Sequence, residues 1–193
     1  YKYSIAVSGT HGKTTTTSML SYILIDADTD PTISVGGILD SIGGNIRVGK
    51  SEYFVTEACE YTNSYHAFKP FISIILNVDA DHLDFFKDID EIAESFHVFA
   101  TKTPKEGLVI VNGDMKYYDT VVRDLECRVV TFGKGAQNKY SAHNIRFDDL
   151  GHPTYTLVVD GKEVTDITLK VFGEHNVYNS LSAIAAALEL GIS

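Results

Sequence analysis

Only two cysteines, Cys59 and Cys127, occur among the 193 residues. Their spacing fits neither a disulfide framework nor a metal cluster, so a reducing, cytosolic setting is expected. Basic side chains are scarce too: 16 Lys and Arg stand against 26 Asp and Glu, a formal net charge of −10. That balance argues against a nucleic-acid partner, because such binders turn a basic stripe to the phosphate backbone. No apolar run approaches the ~20 residues that span a bilayer, and no charged start with an apolar core marks a secretory leader. A soluble protein with no membrane partner is expected. Repeats and low-complexity segments are absent, and the length suits one sizeable core. The chain begins with Tyr1 rather than Met and enters a strand-like run almost at once, so it is expected to be a piece of a longer protein.

What is present begins with Ser8-Gly9-Thr10-His11-Gly12-Lys13-Thr14-Thr15. The run follows the apolar stretch Tyr3 to Val7 and leads into a helical pattern from Thr14, which is the layout of a phosphate-binding loop. Backbone N–H groups converge at such a turn, and the helix start behind them adds about half a positive charge. Lys13 is expected on the β and γ phosphates and the Thr14 hydroxyl on Mg²⁺. The common loop pattern has a glycine five places before Gly12, where this chain has Val7; the match is to the shorter form G-T-x-G-K-T-T. An acidic protein repels a triphosphate at long range, so backbone donors, a few placed cations and Mg²⁺ must hold it.

Strand and helix alternate along the chain, which predicts an α/β fold with a mainly parallel sheet flanked by helices. Strands are expected at 3–7, 53–57, 71–76, 107–111 and 128–132, with helices over 14–25, 89–102, 115–125 and 176–190. The alternating segments 154–159 and 163–171, joined by Asp160-Gly161, predict an antiparallel hairpin and hence a small β subsheet late in the chain.

Two further clusters lie at strand ends, where open α/β sheets collect ligands. Glu57 closes the run Tyr53 to Glu57 and suits Mg²⁺, which takes one or two carboxylates and keeps several waters; it reads alternatively as a solvated strand cap. Glu60 lacks that position and is expected on the surface. Asn77 to Asp84 holds three aspartates and His82, a set compatible with a divalent metal, with acid–base chemistry or with a solvated acidic loop. Imidazole is an unusual ligand for Mg²⁺. His175-Asn176 followed by Asn179 opens a helix with its amides on one face, fit either to pair with a base edge or to cap an alanine-rich helix.

Taken in order, Gly9-Thr10-His11-Gly12-Lys13-Thr14-Thr15, Glu57, Asn77-x-x-x-Asp81-His82-x-Asp84, Asn112-Gly113-Asp114 and Gly173-Glu174-His175-Asn176-Val177-Tyr178-Asn179-Ser180 resemble the central, ATP-binding domain of the Mur ligase family. The resemblance spans essentially residues 1–193. The runs G-T-H-G-K-T-T-T-T and E-A-C-E-Y are most similar to the branch that adds L-alanine to UDP-N-acetylmuramate. It implies Lys13 on the phosphates of ATP, Thr14 and Glu57 on one Mg²⁺, His82 on a second, and His175, Asn176 and Asn179 at the adenine end. Gly9, Thr10, His11, Gly12 and Thr15 complete the implied nucleotide site. Several relatives carry a carbamylated lysine after the Asp-His segment; counting on from His82 leads to Phe96 and His97, where no lysine stands.

The resemblance further implies a bacterial cytoplasmic enzyme that activates a carboxylate as an acyl phosphate, with UDP-binding N-terminal and closing C-terminal domains outside this chain. A sister ligase joining a preformed peptide to UDP-N-acetylmuramate, or a nonenzymatic nucleotide-binding module, shares these motifs.

Overall fold

The computed structural model describes residues 1–81 and 84–192. Its strands are β1 (Tyr3–Ser8), β2 (Thr32–Leu39), β3 (Gly44–Arg47), β4 (Tyr53–Glu57), β5 (Ile72–Ile75), β6 (Leu108–Asn112), β7 (Arg128–Gly133), β8 (Tyr140–Phe147), β9 (Pro153–Val159) and β10 (Lys162–Thr168). The α-helices are α1 (Lys13–Asp26), α2 (Ile89–Ala100), α3 (Tyr118–Val122) and α4 (His175–Glu189). All the strands join one sheet in the order β10-β9-β8-β7-β6-β5-β1-β4-β2-β3. Pairing is parallel from β2 through to β8 and antiparallel at both margins, β3 on β2 and the β8-β9-β10 meander.

The expected fold class is therefore what the chain adopts, with one refinement. The antiparallel part does not stand apart: β8 continues the main sheet through a short parallel join, Phe132 against Tyr140 and Gly133 against Ser141. Within the parallel part both faces are covered, which explains the near-continuous apolar runs of β5 and β6. Ile72, Ile74, Leu108 and Ile110 pack with Leu20 and Leu24 of α1 and Leu181 of α4. Ile75, Val109 and Val111 pack with Phe96 and Phe99 of α2 and Val121 of α3. Neighbouring strand residues thus serve opposite layers, the consequence of the two-residue side-chain period.

Helix ends follow local chemistry. The Asp88 carboxylate accepts the N–H of Glu91 at 3.0 Å, and Glu91 reaches back to the Lys87 N–H at 2.7 Å, so α2 starts on two satisfied donors. The helix predicted over 115–125 is shorter than expected. After Val122 the chain turns extended at Arg123, which pairs with Glu94 of α2 at 2.9 Å, and Asp124 takes a left-handed φ of 52°. That geometry ends the turn. Among the described residues no helix is long and apolar enough to cross a membrane.

Sheet order also creates the site. From β1 the chain builds β4 on one side and β5 on the other, so a crevice opens beyond the carboxyl end of β1. At the opposite end, Glu189 closes α4, where the helix dipole disfavours a negative charge. Arg128 and Lys139, each at 2.7 Å, and the Tyr140 hydroxyl at 2.8 Å offset this. Burial alone pushes the Glu189 carboxyl up, but these three partners outweigh it and hold it below its ordinary value of 4.5. A depressed folded pKa contributes stability that is present above the unfolded value and lost as pH falls through the folded one. Glu189→Gln should therefore cost about 1.5–3 kcal/mol at neutral pH, the scale of hydrogen bonds to a charged group. The gap to the parent, read by denaturant unfolding, should close below about pH 4.

Candidate nucleotide and metal site

The turn after β1 is shaped by two glycines that nothing larger could replace. Gly9 has φ 141°, and a Cβ there would lie 2.9 Å from the Leu76 Cβ. Gly12 has φ 90°, and its Cβ would meet the Asn179 Oδ1 at 2.6 Å. Gly12 is also the residue before α1, which starts without a side-chain cap. The N–H groups of the first turn, from Lys13 on, are thus left for a ligand.

The loop is stapled to the segment after β5. Asn77 Oδ1 accepts the His11 N–H at 2.8 Å, and its Nδ2 donates to the His11 carbonyl at 2.9 Å. The buried Thr10 hydroxyl accepts from the Asp79 N–H at 3.0 Å. Thr10 and His11 thus brace the loop, and the His11 N–H is not among the donors free for phosphate. Part of the acidic run Asn77 to Asp84 serves this brace, and Asp84 accepts from the Tyr61 hydroxyl at 3.2 Å. His82, expected as a metal ligand and catalytic residue, lies outside the described residues.

Thr14 and Glu57 meet as expected. The Thr14 hydroxyl donates to Glu57 Oε2 at 3.1 Å, and Oε1 accepts the Gly36 N–H at 2.5 Å. A Cβ on Gly36 would lie 2.9 Å from Glu57 Oε2, so a larger residue there would displace the carboxylate. A hydroxyl and a carboxylate at a strand end form a hard-oxygen pair that fits Mg²⁺, an ion that retains waters and takes phosphate oxygens as further ligands. No group of three or more His, Cys, Asp or Glu side chains able to hold a metal ion occurs among the described residues.

Glu60 departs from expectation. It is 2% exposed rather than on the surface, and its carboxylate pairs with the Lys13 ammonium at 3.0 Å. The cause is the 3-10 turn Tyr61–Ala67 that follows, in which Thr62 and Asn63 both take φ 56° and Asn63 N–H donates to the Glu60 carbonyl at 2.9 Å. This fold-back brings Glu60 against the loop.

Beside the loop a cleft of about 350 Å³ is lined by His11, Leu76, Phe132, His175, Tyr178 and Asn179, among others. Its apolar walls suit a planar base with a few polar groups at the rim. Asn176 does not line it: its Nδ2 donates to the Phe172 carbonyl at 2.7 Å and its Oδ1 accepts from Asn179 at 2.9 Å. Both amides are 7% exposed. The expectation that both would present to a base edge therefore needs correcting, because Asn176 is spent holding Asn179 against Gly12. Neither asparagine caps α4, whose preceding residue is Glu174.

Sequence reasoning passed over Tyr178. Its hydroxyl donates to Glu174 at 3.0 Å, and Lys134 sits 5.3 Å above its ring while pairing with Glu174 at 2.5 Å. Burial, then Glu174, push the phenol up to about 12, so it remains a donor at neutral pH. The marker Asn112-Gly113-Asp114 is likewise a brace: Asp114 accepts from the Lys134 N–H and from Gln137 and Asn138, each at 2.9 Å for the two amides. Phe96 is buried in the core, and His97 Nδ1 lies 3.2 Å from the Val121 carbonyl.

Known proteins share this fold. A family model, the Mur ligase middle domain, matches residues 7–187. The chain is similar to the UDP-N-acetylmuramate–L-alanine ligase of Lachnospira eligens, 57% identical over 193 residues, which is 100% of this chain and 42% of that protein. Among solved structures, the UDP-N-acetylmuramate-alanine ligase of Thermotoga maritima superposes with a TM-score of 0.84 at 30% identity, covering 100% of this chain and 42% of that one. The UDP-N-acetylmuramate:L-alanyl-gamma-D-glutamyl-meso-diaminopimelate ligase of Neisseria meningitides gives 0.87 at 29%, covering 98% and 62%. The chain thus spans less than half the length of the L-alanine ligases it matches. By the family match over residues 7–187, nearly its whole length, this chain belongs to the Mur ligase family.

Proposed function

We propose that this chain is the ATP- and Mg²⁺-binding central domain of a bacterial cytoplasmic ligase that joins L-alanine to UDP-N-acetylmuramate, releasing ADP and phosphate. The observation that carries the proposal is the convergence of Lys13, the Thr14–Glu57 oxygen pair and the base-sized cleft at the carboxyl end of β1. The 57% identity to an L-alanine ligase favours that amino acid. The fold likeness to the peptide-adding ligase supports a second reading, in which a preformed peptide replaces alanine, but at 29% identity it is the weaker guide.

In the proposed reaction a carboxylate oxygen of UDP-N-acetylmuramate attacks the γ-phosphorus of ATP, the bond to ADP breaks, and an acyl phosphate results. The alanine amine then attacks the acyl carbon, phosphate leaves and the amine gives up a proton. The work asked of the protein is positioning and charge neutralisation. The first-turn N–H groups of α1 and Lys13 would bind the phosphates and stabilise charge on the transferring oxygens. Tyr178, Phe132 and Leu76 would enclose the base, with His175 and Asn179 at its polar side. Thr14 and Glu57 would hold one Mg²⁺ and His82, from the resemblance, a second; when bound these ions supply charge neutralisation and orientation of the phosphates. No protein nucleophile is required.

Ligation assays on the intact gene product, with L-alanine against preformed peptides as acceptors, decide between the two readings; no ADP-forming ligation with either would sink both. In that protein Lys13→Ala should lower kcat/KM by about 2–4 kcal/mol of transition-state stabilisation, the value of one well-placed electrostatic donor. Turnover near the parent's would remove Lys13 from the mechanism. Glu57→Gln keeps an acceptor for the Gly36 N–H, so it should move the Mg²⁺ titration of activity to higher concentration while leaving the thermal melt nearly unchanged. An unchanged metal response would overturn the metal assignment.

The 193 residues enclose their own core and should fold alone, yet they should bind Mg·ATP weakly and form no amide. Alignment of the acceptor carboxylate, worth up to roughly 7–11 kcal/mol, would come from the proposed flanking domains. Calorimetry and mass spectrometry on residues 1–193 test this; efficient ligation by that piece would contradict the three-domain proposal.

A further inference from the structure

Lys13 has no N–H to spare. Its ammonium donates to the Gly9 carbonyl at 2.6 Å, the Thr10 carbonyl at 3.2 Å and the Glu60 carboxylate at 3.0 and 3.2 Å. Three donors meet three groups. A phosphate oxygen can therefore be contacted only if one of these is surrendered. The carbonyls are neutral and belong to the loop that a phosphate would enter; Glu60 carries a full negative charge beside that point. At 2% exposure it is far less screened by water than a surface carboxylate.

The backbone of Glu60 is also held from behind. Asn63 and Thr62, at φ 56°, form a left-handed bend that non-glycine residues adopt only when their surroundings enforce it. The enforcing contacts are the Asn63 N–H on the Glu60 carbonyl at 2.9 Å and the Ser95 hydroxyl of α2 on Asn63 Oδ1 at 2.5 Å. The fold thus fixes the backbone at Glu60, and its buried carboxylate faces a lysine on a flexible stem.

We propose that Glu60 is a positioning residue that parks the Lys13 ammonium on its own loop until nucleotide phosphates draw it off, so that nucleotide binding is coupled to opening of the Lys13–Glu60 pair. The inference rests on the assignment of this loop as the nucleotide site. While parked, Lys13 satisfies two loop carbonyls and the carboxylate, which keeps the turn in shape. On binding, part of the gain from the phosphates is consumed in separating a buried ion pair, and apparent affinity falls by the fraction of molecules in which Lys13 is free.

The test uses the intact protein, with Mg·ADP as probe so that no chemistry intervenes. Glu60→Gln keeps the shape and one acceptor but removes the charge. Calorimetry should show Mg·ADP binding about five- to tenfold tighter than in the parent, the lower range of a typical coupling between two events. Acylation by a small amine-reactive ester, located by peptide mass spectrometry, should show Lys13 modified faster in the variant without nucleotide. A merely structural Glu60 would lower the melting temperature and leave Mg·ADP binding unchanged or weaker, which overturns the proposal. Tighter binding with Lys13 no more reactive would show a repelling charge rather than a parked lysine, and overturns it too. Should Glu60→Gln fail to fold, Glu60→Asp, one methylene shorter, is read by the same two measurements. A parent that binds no Mg·ADP would instead bring down the nucleotide assignment and the parking with it; binding by the parent with no change in the variant removes the parking alone.

Discussion

The close approach of the β1 turn to the end of β5 is the constraint on which the site depends. Gly9 lies so near Leu76 that a Cβ would be at 2.9 Å, and that contact puts His11 within reach of both ends of the Asn77 amide. Once the staple is made, the path of the chain into α1 is set, and with it the direction of the first-turn N–H groups. Thr14, one turn position on, then falls opposite Glu57 because β4 is in register with β1, Val7 beside Glu57. A loosened Gly9 contact would disturb phosphate donors and oxygen pair together.

Charge is managed locally in this protein. At a net −10 its long-range field opposes an anionic ligand, so any attraction must come from groups within a few ångströms. The same economy appears at both ends of the sheet. Glu189, at the unfavourable end of α4, is surrounded by Arg128, Lys139 and the Tyr140 hydroxyl, whereas at the other end Glu60 faces Lys13. The first cluster fastens helix to sheet with more cations than anions. The second sets the Lys13 ammonium beside a phosphate-binding turn, where a polyphosphate can compete for the cation.

Legibility in the sequence followed how local the cause was. The β1–loop–α1 unit was readable because a strand, a glycine turn and a helix start are written in contiguous residues, and β4 matched its expected bounds at Tyr53 and Glu57. The strand β2 was not, because Gly36 and Gly37 interrupt its apolar pattern; their reason is non-local, the close approach of the Glu57 carboxylate and the Thr14 methyl. Glu60 was misjudged for a similar reason, since its burial depends on a left-handed bend enforced from α2. Asn176 and Asn179 were rightly expected on one helix face, but spacing cannot tell an amide that meets a ligand from one that holds its neighbour.

That last distinction links the two halves of the site. Asn179 lies against Gly12 and is oriented by Asn176, which is itself tied to the Phe172 carbonyl. Helix α4 therefore touches the phosphate loop through the same residue that borders the base cleft. Behind this contact α1 packs against α4, and both helices bury small side chains, Thr16, Thr17 and Ser21 on one and Ala183 and Ala187 on the other. Larger residues would hold the helices apart, because interaxial distance follows the side chains at the contact. The hydroxyls of Thr16 and Thr17 have no hydrogen-bond partner among the described residues, a cost that buried polar groups carry when unpaired. Small buried residues let two helices approach closely, and with α1 and α4 in contact the Asn179 amide lies against Gly12, which joins base cleft and phosphate loop.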